Sequence, residues 1–305
     1  MLIDKSFTQK CIPIQNQSAI ISYLKKHLNE LESRLDAIFL LEEVTKKNNA
    51  SVASYGEILS SNIIHEIFKF NQIDSELKDA RELIQTSTHN GIEVVNEKIT
   101  DQQIKNYFSN NKSRVVIVPG FIACNKIGVT TTLGRGGSDY SAAIIANSVE
   151  AEMFEIWTDV SGIYTAHPKI VTQAKPIKKL SYYEAMELSH FGAKVIYPPT
   201  LQPIIEKNIP IVVKNTFAPH DLGTLIDSSK FSENPEIVKG ISHIDNVALI
   251  NLEGSGMIGI TGFSKRLFEA LSDVHINVIM ITQASSEHSI SVSYTHLTLP
   301  TNREV

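Results

Sequence analysis

The chain has 305 residues, 42% of them hydrophobic and 20% charged, with a formal net charge of -5. That is enough chain for two domains of ~100–200 residues each, and the composition is that of a folded globular protein, not a disordered one. The negative charge argues against general nucleic-acid binding, which needs a cationic surface, and the densest basic cluster is only Lys175, Lys178 and Lys179.

From Ser18 to Val44, the residues Leu24, Leu28, Leu31, Leu35 and Ile38 recur at steps of four and three, which predicts one apolar face of a helix. A second helix is expected from about Val52 to Phe70, with Ile58, Leu59, Ile63 and Ile67 buried. Strand and helix signals then alternate. Arg114 to Pro119 is a short β-branched run closed by Pro119-Gly120, and Ile127 to Leu133 reads as a strand or hairpin arm leading into glycines. Tyr140–Ser148 is helical, Phe154–Trp157 a strand, Tyr182–Leu188 a helix and Ile209–Val213 a strand. Strands separated by helices predict an α/β domain over residues 1–227, a largely parallel sheet sandwiched by helices.

Residues 228–239 are polar and broken by Pro235, and read as a linker. Beyond it a strand (Val247–Leu252), a glycine-bearing loop (Gly254, Gly256, Gly259), a helix (Ser264–Ser272), a strand (Ile276–Ile281) and a further strand from Ser289 give β-α-β-β. That order opens a ferredoxin-like unit over 240–292 and leaves it one helix and one strand short. The last stretch, 293–305, abandons the pattern and is expected to be a non-native tail.

Cys11 and Cys124 are the only cysteines and form no CxxC pair. Neither a disulfide framework nor a cysteine zinc site is indicated, and two thiols fit a reducing cytoplasm. The ten histidines are scattered, so no metal site is expected from side chains. No apolar run approaches the ~18–20 residues of a membrane span, and the N-terminus lacks the pattern of a secretion signal.

The segment richest in chemistry is Leu133-Gly-Arg-Gly-Gly-Ser-Asp-Tyr-Ser-Ala-Ala143. Three glycines allow a tight turn and close approach of a ligand. Ser138 or Asp139 is placed to cap the following helix, whose exposed amides favour an anion. Arg135 adds a planar fork suited to carboxylate or phosphate. Without the arginine, the glycines would be equally consistent with a plain capped turn.

Gly134-Arg-Gly-Gly-Ser-Asp-Tyr-Ser-Ala-Ala resembles the aspartokinase signature of the amino-acid kinase family. Further blocks follow in the family's order: Trp157-Thr-Asp-Val-Ser-Gly-Ile-Tyr164 resembles its nucleotide-binding turn, and Ser181 to Pro199, with Phe-Gly-Ala-Lys194 inside it, its third block. Upstream, Ser54-Tyr-Gly-Glu57 is similar to its acidic substrate motif. The similarity runs over about residues 20–292. It implies the amino-acid kinase fold and phosphorylation of the aspartate side-chain carboxylate by ATP with Mg²⁺, the first step towards lysine, threonine and methionine. Position by position, Arg135 is expected to pair with a substrate carboxylate, Glu57 with its ammonium, and Ser138 and Asp139 to complete the pocket. Thr158, Asp159 and Tyr164 are expected to hold the adenosine portion and Lys194 the phosphates. Where the family often has Asp-Pro-Arg, this chain reads His167-Pro168-Lys169, so Lys169 keeps the charge and loses the fork.

The family's opening strand, ending in Lys-Phe-Gly-Gly-Thr-Ser, does not occur here, and these 305 residues alone are expected to be inactive or nearly so. Gly254–Gly262 and Ile276–Ile290 resemble the ACT regulatory domain, in wording closest to the bifunctional aspartokinase–homoserine dehydrogenase branch. The resemblance implies a feedback amino acid, threonine or lysine, with Gln283 as a contact, and a homodimer through ACT sheets; a plain strand with an unpaired Gln283 is the competing reading. Two other readings stand beside the kinase: another amino-acid kinase such as a glutamate kinase, and a non-catalytic amino-acid-binding regulator.

Overall fold

The computed structural model describes residues 17–89, 92–190, 195–229, 238–245, 247–254, 262–276, 278–283 and 289–295. Two compact units divide between Ile241 and Ser242.

The first unit opens with two long helices, α1 (Gln17–Leu41) and α2 (Lys46–Phe70). The hydroxyl of Thr45 starts α2 by accepting the Asn48 amide at 3.1 Å, satisfying one donor that the helix itself cannot. Ile20 and Leu24 pack on Tyr55 and Leu59, with Leu31, Ile63 and Ile67 partly buried around them. Leu28 and Leu35, expected on this same face, are exposed instead. A seven-residue step drifts about 20° round the helix, and only the inner edge of the predicted apolar arc meets α2.

Three sheets follow, and parallel and antiparallel pairing alternate within them. β1 (Ser75–Leu77) pairs in parallel with β4 (Val115–Ile117). In the second sheet β2 (Gln85–His89) lies between β3 (Ile92–Val95), antiparallel, and β5 (Ile122–Asn125), parallel, and β6 (Thr130–Thr132) is antiparallel to β5. In the third the order is β7 (Phe154–Thr158), β9 (Ile211–Asn215), β10 (Thr224–Asp227), β8 (Lys179–Ser181), with β7–β9 and β10–β8 parallel and β9–β10 antiparallel. Helices α3 (Glu97–Asn110), α4 (Gly137–Ser148), α5 (Tyr182–His190) and α6 (Gln202–Glu206) complete the unit. Ala143 of α4, Ile156 of β7, Leu180 of β8, Ile204 of α6, Ile211 and Val213 of β9 and Ile226 of β10 share one core. Leu83, Ile84, Val95, Ile104, Ala123 and Ile144 form another.

Most of the segment expected as a linker lies outside the described residues. Its C-terminal end is held on the first unit: Lys239 pairs with Glu184 at 2.8 Å, and the Ile241 amide reaches the Thr165 carbonyl at 2.8 Å.

In the second unit β11 (Val247–Glu253) and β12 (Val278–Gln283) flank β13 (Ser289–Thr295), all antiparallel. Helix α7 (Phe263–Asp273) covers one face through Leu271, Ile290 and Val292. The first and third strands are neighbours, as a split β-α-β unit requires. β13 runs three residues into the expected tail, with Val292 and Tyr294 both buried on its inward face.

One buried hydroxyl ties the third sheet together. Thr224 Oγ1 accepts the Ile163 amide at 2.8 Å and donates to the Ile177 carbonyl at 2.6 Å, with no exposure to water. Thr224→Val keeps the shape but strands both groups. It is expected to cost about 1–3 kcal/mol in equilibrium urea unfolding; a loss within error of zero would show that the two groups find other partners.

Candidate functional site

Glycines decide the geometry around Arg135. Gly134 and Gly136 have φ of 72° and 68°, left-handed values that a Cβ disfavours. A Cβ on Gly136 would stand 2.9 Å from Thr200 Cγ2 and 3.0 Å from the Tyr197 ring, one on Gly137 2.8 Å from the Phe121 ring, and one on Gly120 2.9 Å from Ser138 Cα. Two segments distant in sequence, 119–121 and 197–200, therefore close on this turn. Phe121 itself has φ of 68°, a strained value for a bulky residue. It is held there because its amide donates to Ser141 Oγ at 2.9 Å and its carbonyl accepts the Leu133 amide at 2.9 Å. Ser141 passes the bond on to the Gly137 carbonyl at 2.8 Å.

Arg135, Ser138 and Asp139 stand on this one turn. The Arg135 guanidinium is exposed, with its carbon 5.0 Å from the Tyr197 ring centroid, an arrangement that steers the fork without consuming its donors. Neither Ser138 nor Asp139 caps the helix, contrary to expectation. The cap residue is Gly136, with no side-chain bond, and Ser138 and Asp139 fall in the first turn. The left-handed backbone at Gly136 makes the entry that a capping side chain usually makes, leaving both side chains available.

Asp139 and Glu57 have the same electrostatic character. Each is part-buried, and burial alone pushes its carboxyl above the ordinary range. Neither has an ion-pair partner among the described residues. Elsewhere the unit treats carboxylates differently. Asp79 is also desolvated, yet the hydrogen bonds of Arg81 hold it below the usual value. Glu57 lies on α2, which packs against β6, the strand leading into the glycine turn.

Thr158 and Asp159 sit at the C-terminal end of β7, joined by a 3.2 Å bond from Thr158 Oγ1 to Asp159 Oδ1. In parallel sheets this end is where ligands gather. Gly162, at φ 119°, lets the turn pass Thr224, whose Oγ1 would be 2.3 Å from an added Cβ. Tyr164 bridges to Pro176 and closes a loop on which Lys169 is exposed. Lys194 lies outside the described residues. Gln283 ends β12 in the second unit and is exposed.

Sequence reasoning gave no role to Gly120, Phe121, Tyr197 and Thr200, which form the wall of the turn. The Pro-Gly pair at 119–120 was a legible turn signal, but nothing local announces which helix it will press on. A cleft of about 500 Å³ opens between α1, α2 and β1, lined by Tyr23, Arg34, Tyr55, Lys78, Asp79 and Thr130 among others. Ser54 and Tyr55 of the predicted acidic substrate motif line it, but Glu57 and the other predicted site residues do not. Part of its charge is paired internally, Arg81 with Asp79 at 2.5 Å and Lys78 with Glu82, and Arg34 donates to the hydroxyls of Tyr55 and Ser51. The turn at Arg135, with its unspent charges, is the better candidate for ligand binding. Among the described residues no group of three or more His, Cys, Asp or Glu is placed to hold a metal, and no helix is long and apolar enough to cross a membrane.

The model of the amino acid kinase family matches residues 16–215, and that of an ACT domain matches 250–293. The chain is 37% identical over 279 residues to the chloroplastic bifunctional aspartokinase/homoserine dehydrogenase 1 of Arabidopsis thaliana, covering 90% of this chain and 30% of that protein. It is 33% identical over 270 residues to the lysine-sensitive aspartokinase 3 of Escherichia coli, covering 87% and 59%. The crystal structure of E. coli aspartokinase III with aspartate and ADP superposes with a TM-score of 0.74 at 29% identity, covering 92% of this chain and 61% of that one. The form with lysine and aspartate gives 0.74 at 30%, covering 90% and 61%. The chain thus spans about a third of the length of the bifunctional relatives.

A carboxyl whose pKa is raised by burial binds more protons in the folded state, so it destabilises the fold as pH rises from its unfolded to its folded pKa. Glu57→Gln and Asp139→Asn are each expected to raise stability at about pH 7 and leave it little changed at about pH 4, measured by urea unfolding at both. A loss of stability at the higher pH would mean the carboxylate is held by a partner.

Proposed function

The chain belongs to the amino acid kinase family, and on that premise we propose that the protein transfers the γ-phosphoryl group of ATP to the side-chain carboxylate of aspartate. The observation that carries the reading is the pairing of unspent charges: a guanidinium at Arg135, and part-buried, unpartnered carboxylates at Glu57 and Asp139. A zwitterion with two carboxylates calls for a cationic fork and an acid. The relatives named aspartokinase, and the solved neighbour holding aspartate and ADP, support the choice of substrates.

In this reading Arg135 grips a carboxylate of aspartate in two-point fashion. Glu57 takes the ammonium, which restores the counter-charge its buried carboxylate lacks, and Ser138 and Asp139 close the pocket. Thr158, Asp159 and Tyr164 hold the nucleotide at the end of β7, with Lys169 and Lys194 towards its phosphates; the part of Lys194 rests on the sequence resemblance. A side-chain oxygen of aspartate attacks the γ-phosphorus, an O–P bond forms, and the bond to the leaving ADP oxygen breaks. No proton need move, so the protein's work is alignment and charge neutralisation. Bound with the nucleotide, Mg²⁺ would supply the remaining charge neutralisation.

The second unit, with its ACT match, fits an amino-acid sensor. Gln283 is the proposed ligand contact, with lysine or threonine as the effector and a homodimer formed through the sheets. The bifunctional relatives make a following homoserine dehydrogenase part of the proposal.

The test is a coupled ADP-release assay on the complete reading frame. Aspartate is expected to turn over and glutamate not. Arg135→Ala is expected to lower kcat/KM for aspartate about 10–100-fold, the worth of a charge-assisted bond, and Arg135→Lys to restore only part of it. Equal use of glutamate, or unchanged kinetics in Arg135→Ala, would contradict the assignment.

A further inference from the structure

Helix α1 carries more apolar surface than its own unit uses. Ile20, Leu24 and Leu31 turn towards α2. Ile21, Leu28 and Leu35 recur seven residues apart with 44%, 41% and 47% of their surface exposed, and Phe39, one turn on, is 81% exposed. At about 100° per residue these four fall within an arc of roughly 40°, a continuous stripe along most of the helix. Leu40, Leu41 and Val44 prolong the apolar surface at the tip of the hairpin. Lone exposed leucines need no explanation, but a row of large apolar residues at heptad spacing does.

The charges beside the stripe run in a definite order. On the flank of the stripe away from α2, Lys25 lies in the N-terminal half of α1 and Glu32 and Asp36 in the C-terminal half, while Lys26, Glu30 and Arg34 lie on other faces of the helix. The helix dipole favours the opposite arrangement, acids early and bases late, so it does not account for them. Lys25, Glu32 and Asp36 flank the stripe on the helical wheel, are exposed, and hold no ion pair among the described residues.

We infer that α1 is a self-association surface, pairing antiparallel with α1 of a second copy of this chain. A two-fold axis across the middle of the helix sets Ile21 of each copy near Phe39 of the other, with Leu28 and Leu35 between them. It also sets Lys25 of each copy beside Glu32 and Asp36 of the other, so the charge order that opposes the dipole becomes complementary. The two α1–α2 hairpins then form a four-helix arrangement, α1 facing α2 on one side and its twin on the other. This contact is separate from any pairing of the second-unit sheets and does not depend on the catalytic reading.

Sedimentation velocity of the 305-residue chain over a range of concentrations tests it. The mass is expected to rise from 33.8 kDa towards twice that value. Leu28→Lys with Leu35→Lys, both at exposed positions, is expected to weaken association at least about tenfold with an unchanged far-UV dichroism spectrum. Lys25→Glu is expected to weaken it, and Lys25→Glu combined with Glu32→Lys and Asp36→Lys to restore it. A chain that stays at 33.8 kDa throughout overturns the proposal. So does a dimer indifferent to both the lysine pair and the charge reversal, since that dimer forms elsewhere.

Discussion

The first unit is organised around backbone contacts too close for a side chain. Gly120, Gly136 and Gly137 each occupy a place where a Cβ would stand 2.8–2.9 Å from another segment. These three contacts bring the Pro119–Phe121 loop, the turn at Arg135 and the Tyr197–Thr200 segment together. Phe121 accepts a left-handed backbone to keep its ring over Gly137, and the bonds through Ser141 and Leu133 offset the strain. The result is a guanidinium projected from a close-packed turn, steadied by the Tyr197 ring and with no ion pair to an acid among the described residues.

Several part-buried charges elsewhere in the unit are paired. Lys239 with Glu184, Lys214 with Glu155 and Arg81 with Asp79 each neutralise charge locally. Glu57 and Asp139 are instead part-buried with no cation paired to them among the described residues, and burial disfavours their charged forms. Desolvated, unpartnered carboxylates of this kind concentrate where a ligand brings the missing charge. The stability they forgo is recovered when a cationic group arrives.

Much of this was legible in the sequence, for identifiable reasons. The apolar periodicity of α1 and α2, the β-branched runs of β4, β7 and β9, and the β-α-β-β order of the second unit are all local signals, and elements appear where they point. The Gly-Arg-Gly-Gly turn was legible because glycine and arginine carry their chemistry regardless of context. What escaped was non-local. The β1 and β2 strands lack apolar alternation and exist through pairing with β4 and β5. The wall formed by Gly120 and Phe121 depends on a contact across the fold. Leu28 and Leu35 share a helical arc with Leu24 and Leu31, yet one edge of that arc meets α2 and the other meets solvent. Periodicity names an apolar face; it does not say what covers each side of it.

The turn at Arg135 and the carboxylate of Glu57 are proposed to bind one zwitterion between them. A crystal structure of the complete protein with aspartate tests this most directly. A carboxylate of aspartate is expected within hydrogen-bonding distance of the Arg135 guanidinium, with its ammonium beside Glu57. Aspartate bound in the cleft between α1, α2 and β1, with Arg135 untouched, would contradict it.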